Sequence, residues 1–156
     1  MKPFHFPLET VLILRQQQER TAKQHYATTL AACKKAELQV GKAAGELATV
    51  WDTVAQELRQ GLTASRLGEL QRWCLVVETR WHECQAVLDE ARKIAERAFQ
   101  EMTAAVRACE ALDRFREKSR HAHDRARVAG EQKELDELAV QLSSTPGLLQ
   151  TAGHNI

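Results

Sequence analysis

Apolar and small residues recur along most of this chain at alternating steps of three and four positions. In the first half the pattern runs from Leu8 to Val54, and in the second half it runs from Leu67 to Leu112. Alternating steps of this kind place one narrow stripe along a helix, which is the seam of a coiled coil. We therefore predict two very long helices, each with a single apolar stripe.

One break separates the two halves, at Gly61, Leu62 and Thr63. Glycine is favoured just after a helix ends, and threonine is favoured just before one begins. We predict an all-α fold, a two-helix antiparallel coiled-coil hairpin over residues 1–142, with its turn near 61–64 and the second helix longer than the first. Residues 143–156 are rich in Ser, Thr, Pro and Gly, which predicts a disordered tail.

The predicted register can be tested within the sequence, because facing residues of an antiparallel pair must lie equally far from the turn. With Leu62 at the centre, the large Trp81 faces the small Ala43. Large side chains facing small ones are what a dense core requires. The pattern weakens where Leu8 faces Arg116, and we expect the second helix to lose its partner there.

The layers just before that point are weak. The register places Arg15 opposite Cys109 and Glu19 opposite Ala105. A charged residue in a coiled-coil seam contributes little apolar burial, so we expect less stable packing at this end of the hairpin.

Composition agrees with an extended coiled coil. Charged residues make up 28% of the chain and aromatic residues 5%, and the formal net charge is +1. Nothing in this balance predicts nucleic acid or membrane as a partner. No apolar run reaches the roughly 20 residues of a membrane span, and no signal peptide is visible. The cysteines fall on the seam without facing each other, which predicts reduced thiols in a cytoplasmic protein.

The sequence offers no evident catalytic or metal chemistry. His121 and His123 lie roughly 200° apart on a helix, so one metal ion cannot easily bind both. There is no glycine-rich phosphate loop, no nucleophile elbow and no paired carboxylate in an evident pocket. We predict a protein that is not an enzyme and that has no cofactor and no metal site.

Two stretches suggest partner surfaces. Trp73, Leu75 and Val76 fall at or beyond the edge of the seam, which indicates either local overpacking or a partner site. The second stretch is basic and is diluted by acidic residues. It is either a solvated helix surface or a docking surface for an acidic partner; for nucleic acid, Phe115 alone interleaves with the basic residues. Its members are Arg114, Arg116, Lys118, Arg120, Arg125 and Arg127.

The two ends of the chain resemble a known family. Residues 4–15, Phe-His-Phe-Pro-Leu-Glu-Thr-Val-Leu-Ile-Leu-Arg, resemble the opening of FliJ, a cytoplasmic protein of the flagellar type III export apparatus. Residues 131–139, Glu-Gln-Lys-Glu-Leu-Asp-Glu-Leu-Ala, resemble the C-terminal signature of that family. The length, the turn and the absence of proline between the two motifs also fit.

The resemblance implies a stalk similar to the gamma subunit of rotary ATPases. It implies that the end carrying both termini docks in the pore of a hexameric, FliI-like export ATPase, that the hairpin binds the cytoplasmic domain of an FlhA-like export gate, and that it escorts empty export chaperones. The implied ATPase-docking residues are Phe6, Leu8, Leu12, Arg15, Arg116, Arg120, Gln132 and Lys133. The implied gate-binding residues are Trp73, Val77, Arg80 and Cys84, of which the last two depart from the family pattern.

We therefore expect a cytoplasmic, non-enzymatic component of a flagellar export apparatus, peripheral at the cytoplasmic face of the inner membrane. An injectisome stalk of the same architecture is the first alternative. A generic coiled-coil scaffold or homodimer is the second. A nucleic-acid-binding hairpin is the third, and a steep salt dependence of binding would favour it.

Overall fold

A computed structural model of the protein describes residues 3–144. The helix α1 spans Glu9–Gln60 and the helix α2 spans Ala64–Ser143. The predicted fold class is confirmed, since the described residues form an all-α, two-helix antiparallel hairpin in which the second helix is longer. Residues 145–156, which make up most of the predicted tail, lie outside the described residues. The predicted domain boundary therefore stays a prediction.

The described residues form two compact units. The hairpin unit is Ile13–Cys109, which contains most of α1, the turn and the first part of α2. The terminal unit contains residues 3–12 and 110–144, which are the start of α1, the segment before it and the rest of α2.

The turn between the helices is made by residues 61–63. Gly61 has a φ of 92°, a left-handed conformation that favours glycine and ends α1. The Thr63 hydroxyl accepts a hydrogen bond from the Arg66 amide at 3.3 Å and caps the start of α2. Arg66 donates two hydrogen bonds to the Glu57 carboxylate, at 2.8 and 2.9 Å, which joins the two helices beside the turn.

The seam of the hairpin unit follows the predicted register. Val50, Cys74 and Val77 form a buried cluster, and Leu47 and Val54 pack against it. These five residues belong to layers that the register pairs across the turn. The residues of the stripe are buried or half-buried, except Leu67, which is 36% exposed, and Arg15, which is also exposed. Burial of this stripe is the dominant stabilising contribution in the unit.

One predicted layer differs from the structure. Cys109 is buried and donates a hydrogen bond to the Glu19 carboxylate, although the register placed Arg15 opposite Cys109. Arg15 is exposed and bonds Gln18 of its own helix at 3.1 Å. The physical reason is that the Arg15 guanidinium can reach water from the edge of the seam. The Cys109 thiol then bonds the carboxylate of Glu19, which lies one helical turn after Arg15.

The terminal unit shows that packing on α2 continues past the predicted end. The Phe6 side chain is 3% exposed and its ring lies 5.9 Å from that of Phe115. Farther along, the Phe4 ring lies 5.6 Å from the His123 ring. The helical partner of α2 does end near Arg116, which pairs with Glu9 at the start of α1, but a non-helical segment continues to pack on α2 beyond that point. Residues 3–6 are not helical, and an extended chain advances roughly 3.3 Å per residue against 1.5 Å in a helix, so a few residues cover a long stretch of α2.

Candidate docking surfaces

The apolar stretch near the turn separates into two faces of α2. Trp73 is 44% exposed, Val76 is 58% exposed and Leu75 is 64% exposed. Trp73 and Val76 lie three positions apart and share one side of the helix, whereas Leu75 lies about 200° from Trp73. We call the side that carries Trp73 and Val76 the Trp73 surface.

Two of the four predicted gate-binding residues lie on the outside of the hairpin unit. Trp73 is exposed, and the exposed Arg80 donates a hydrogen bond to Glu46 of α1 at 3.2 Å. Val77 is 5% exposed and belongs to the seam cluster, while Cys84 is half-buried. The gate-binding set implied by the family resemblance therefore contains both surface residues and packing residues.

A groove beside Cys84 was missed by the sequence analysis. Its α1 side consists of Ala32, Lys35, Ala36 and Gln39, and its α2 side consists of Glu83, Cys84 and Val87. Val87 is 61% exposed and lies seven positions after Arg80, so it continues the Trp73 surface along α2. The heptad spacing of Trp73, Arg80 and Val87 was the signal that could have identified it.

Several of the predicted ATPase-docking residues are packing residues. Phe6 and Leu12 are buried, with Leu12 only 1% exposed, and Leu8 is half-buried. Their side chains hold residues 3–12 against α2 and are not free to meet a partner. Arg15 belongs to the hairpin unit, where it is exposed.

The other four predicted docking residues lie at the surface of the terminal unit. Arg116 pairs with Glu9 at 3.9 Å, and Gln132 donates a hydrogen bond to Asp136 at 3.0 Å. Arg120 and Lys133 are exposed. Exposed ion pairs contribute little to stability, which leaves these side chains available to a partner.

The structure also reveals an apolar stripe in the terminal unit that the sequence analysis missed. Val128, Leu135, Leu138 and Leu142 are 57%, 61%, 54% and 79% exposed. Their spacing of seven, three and four places them on one side of α2, and this spacing was the signal that could have identified them. We call these four residues the C-terminal stripe. Every described residue after Asp124 is exposed except the half-buried Gly130.

The two histidines of the terminal unit differ in exposure. His121 is exposed, whereas the buried Nδ1 of His123 has no hydrogen-bond partner among the described residues and lies 3.9 Å from the Asp124 carboxylate. Between residues 3 and 144, no group of three or more His, Cys, Asp or Glu side chains could hold a metal ion. None of the four cysteines, all of which lie among the described residues, forms a disulfide. No helix of the described residues is long and apolar enough to cross a membrane.

The sequence matches a known protein family, and the fold is similar to a solved structure. Residues 4–147 match the model of the family described as flagellar FliJ protein. The structure is similar to that of a putative YscO homologue from Chlamydia trachomatis, with a TM-score of 0.60 and 19% sequence identity over 90% of this chain and 96% of that one. At this identity the likeness is one of fold alone. No curated protein sequence matches the chain.

Proposed function

Because the chain belongs to the flagellar FliJ family, we propose that it acts as the coiled-coil stalk of a flagellar type III export apparatus. The family assignment itself makes the chain a coiled-coil protein associated with type III export, in a family of structural components. The stalk role, and the partners that it implies, are our proposal.

In this proposal the terminal unit docks in the hexameric export ATPase. The observation that carries the proposal is the exposure of α2 after Asp124 together with the C-terminal stripe. A helical stretch without a partner is only marginally stable in water, and an exposed apolar stripe on it marks a surface that a partner covers. An ATPase ring that encloses this stretch would supply the missing contacts.

The basic residues of α2 add an electrostatic component to this docking. Between residues 114 and 127 the chain has six basic and two acidic side chains. Arg116 and Arg120 would meet acidic groups of the ATPase, and Gln132 and Lys133 would contact it directly. Phe6, Leu8 and Leu12 would act indirectly, because they keep the N-terminal segment packed on α2. Arg15, in the hairpin unit, has no structural observation that links it to this contact.

We further propose that the Trp73 surface binds the cytoplasmic domain of the export gate. Exposed aromatic side chains are enriched among the residues that dominate binding energy. Trp73 and Arg80 would make the contact, while the seam residues Val77 and Cys84 would hold α2 in position. The escort of export chaperones, and a cytoplasmic position peripheral at the inner membrane, rest on the family assignment alone.

The proposal is tested by capture of the purified export ATPase and, separately, of the gate's cytoplasmic domain. The variant Arg116→Glu/Arg120→Glu should lose ATPase capture and stimulation of ATP hydrolysis but still bind the gate. The matched control Lys34→Glu/Lys42→Glu reverses two exposed charges of the hairpin unit and should retain ATPase binding. Undiminished ATPase capture by the first variant would contradict the assignment of these arginines.

The same experiment separates the flagellar role from the injectisome alternative. Both stalks have one architecture, so the fold does not distinguish them, and the flagellar description of the matching family favours the first. Capture of a flagellar export ATPase in preference to an injectisome ATPase is the expected result, and the opposite preference would transfer the assignment to the injectisome.

A further inference from the structure

From the Trp73 surface we infer that the protein, when it is not bound to the export gate, pairs with a second copy of itself through antiparallel contact of the two α2 helices. The dimer and the proposed gate complex use the same surface and therefore exclude each other. Exposed large apolar residues recur on one side of α2, at Trp73, Val76, Val87 and Ile94. The steps of three, eleven and seven are those of one heptad stripe, and a seven-residue repeat keeps facing a second helix that wraps around the first with a left-handed twist.

Four charged residues complete this stripe at the remaining heptad positions. They are Arg80, Glu83, Glu90 and Arg97, and all four are exposed. Along the helix the signs run positive, negative, negative, positive. In a parallel pair each of these residues would meet its own copy, and four layers would bring like charges together, which is destabilising.

An antiparallel pair with its two-fold axis level with Gln85 gives a different result. Next to the central layers Arg80 meets Glu90 of the second copy, which is a pair of opposite charges. On each side Val76 meets Ile94, an apolar layer, and each layer occurs twice because a two-fold interface is isologous.

Two further layers lie at the outer ends and at the centre of this pairing. Trp73 would meet Arg97 of the second copy, which allows a cation–π contact between the guanidinium and the indole face. The least favourable layer places Glu83 beside Val87. Ala86 lies one position after Gln85, close to the axis, and its small side chain lets the two backbones approach.

The size of the contact predicts a weak dimer. The stripe from Trp73 to Arg97 is about 36 Å long at 1.5 Å per residue, on a helix about 10 Å wide. A strip of these dimensions covers roughly 360 Å² of each copy, well below the roughly 800 Å² per partner of a standard specific interface, so the association is weak and transient. We expect a reversible monomer–dimer equilibrium of the full chain that depends on concentration.

Sedimentation velocity over a dilution series of the full chain tests this inference. Val76→Glu places a carboxylate against Ile94 of the second copy and should raise the dissociation constant by about tenfold or more. The matched control is Leu75→Glu, a neighbouring exposed residue on the other side of α2, which should leave the dimer unchanged. Circular dichroism of each variant checks that the helices are intact.

A charge exchange provides the second arm of the test. Arg80→Glu alone and Glu90→Arg alone each bring like charges together and should weaken the dimer by about tenfold. The double variant Arg80→Glu/Glu90→Arg restores opposite charges and should return the dissociation constant to within a few-fold of the original. A chain that stays monomeric at high concentration, or a double variant without restored pairing, would overturn the inference.

Discussion

Two stretches of α2 carry apolar stripes that differ in phase and in burial. Between Leu70 and Cys109 the seam residues are buried or half-buried, whereas the residues of the C-terminal stripe are exposed. If the three-four spacing of the seam continued along α2, it would reach Lys133. Leu135 lies two positions later and is therefore about 200° from that line around the helix. The seam of α2 is thus covered by the chain itself, whereas the C-terminal stripe is exposed.

The comparison explains why the seam and the C-terminal stripe call for different experiments. A seam residue contributes to folding, so its replacement should change the free energy of unfolding. A residue of the C-terminal stripe contributes to folding only slightly, so its replacement should change binding.

Removal of a seam side chain should have the largest effect. Leu70→Ala deletes a side chain that is 2% exposed and should lower the free energy of unfolding by about 2–5 kcal/mol, because it removes apolar burial and leaves a cavity. The matched control is Leu135→Ala, which should stay within about 0.5 kcal/mol of the original. Urea titration followed by circular dichroism measures both. Equal losses in the two variants would remove the distinction between the stripes.

Overpacking of the seam should have the next largest effect. Ala43 is 3% exposed, and the register places it opposite Trp81. Ala43→Trp should therefore clash and cost about 1–3 kcal/mol of stability, while Ala139→Trp on the exposed part of α2 should cost little. Thermal unfolding compares the two variants, and full stability of Ala43→Trp would contradict the register.

Loss of an exposed tryptophan should affect binding and leave stability nearly unchanged. Trp73→Ala should weaken binding to the export gate by about 1–2 kcal/mol, a typical cost for a residue that dominates an interface. Trp51→Ala removes a tryptophan of α1 that is 54% exposed, against 44% for Trp73, and this variant should bind the gate normally. Isothermal calorimetry measures the affinities. If Trp73→Ala instead unfolds the hairpin, Trp73 is a core residue and the gate assignment fails.

The smallest predicted effect depends on pH. The hydrogen bond from Lys23, followed by that from Cys109, holds the pKa of Glu19 below its usual value. A lowered folded pKa means that the stabilisation is present above the unfolded pKa and is lost as the pH falls through the folded one. Glu19→Gln should remove this acid-dependent loss, which is on the order of 1 kcal/mol or less. The control Glu131→Gln should lose stability in acid as the original chain does. If Glu19→Gln also lost stability in acid as the original chain does, the proposed contribution of Glu19 would be contradicted.

The seam could be predicted from the sequence because heptad positions translate directly into burial. Val50, Cys74 and Val77 follow from spacing alone, and so does the turn signal at Gly61. The packing of Phe4 and Phe6 could not be predicted in this way. Those residues lie outside the helix, where no periodicity relates sequence position to contact.

The candidate surfaces were less predictable than the fold. Spacing placed Val77 on the seam and Trp73 at or beyond its edge, but the family resemblance implied that both bind the gate, because a family pattern does not distinguish contact residues from residues that position them. It also treated residues 114–127 by charge and missed the C-terminal stripe. A stripe on the outside of a helix becomes evident once the position of the partner helix is known.

Hydrogen–deuterium exchange along α2, with and without the export ATPase, tests the central claim most directly. Without the ATPase, amides after Asp124 should exchange fast and those between Leu70 and Cys109 slowly, since only the latter stretch is packed on α1. With the ATPase, protection should rise in the first stretch and stay unchanged in the second. Unchanged exchange after Asp124, or new protection confined to the hairpin unit, would contradict the claim that α2 reserves its C-terminal stripe for the ATPase.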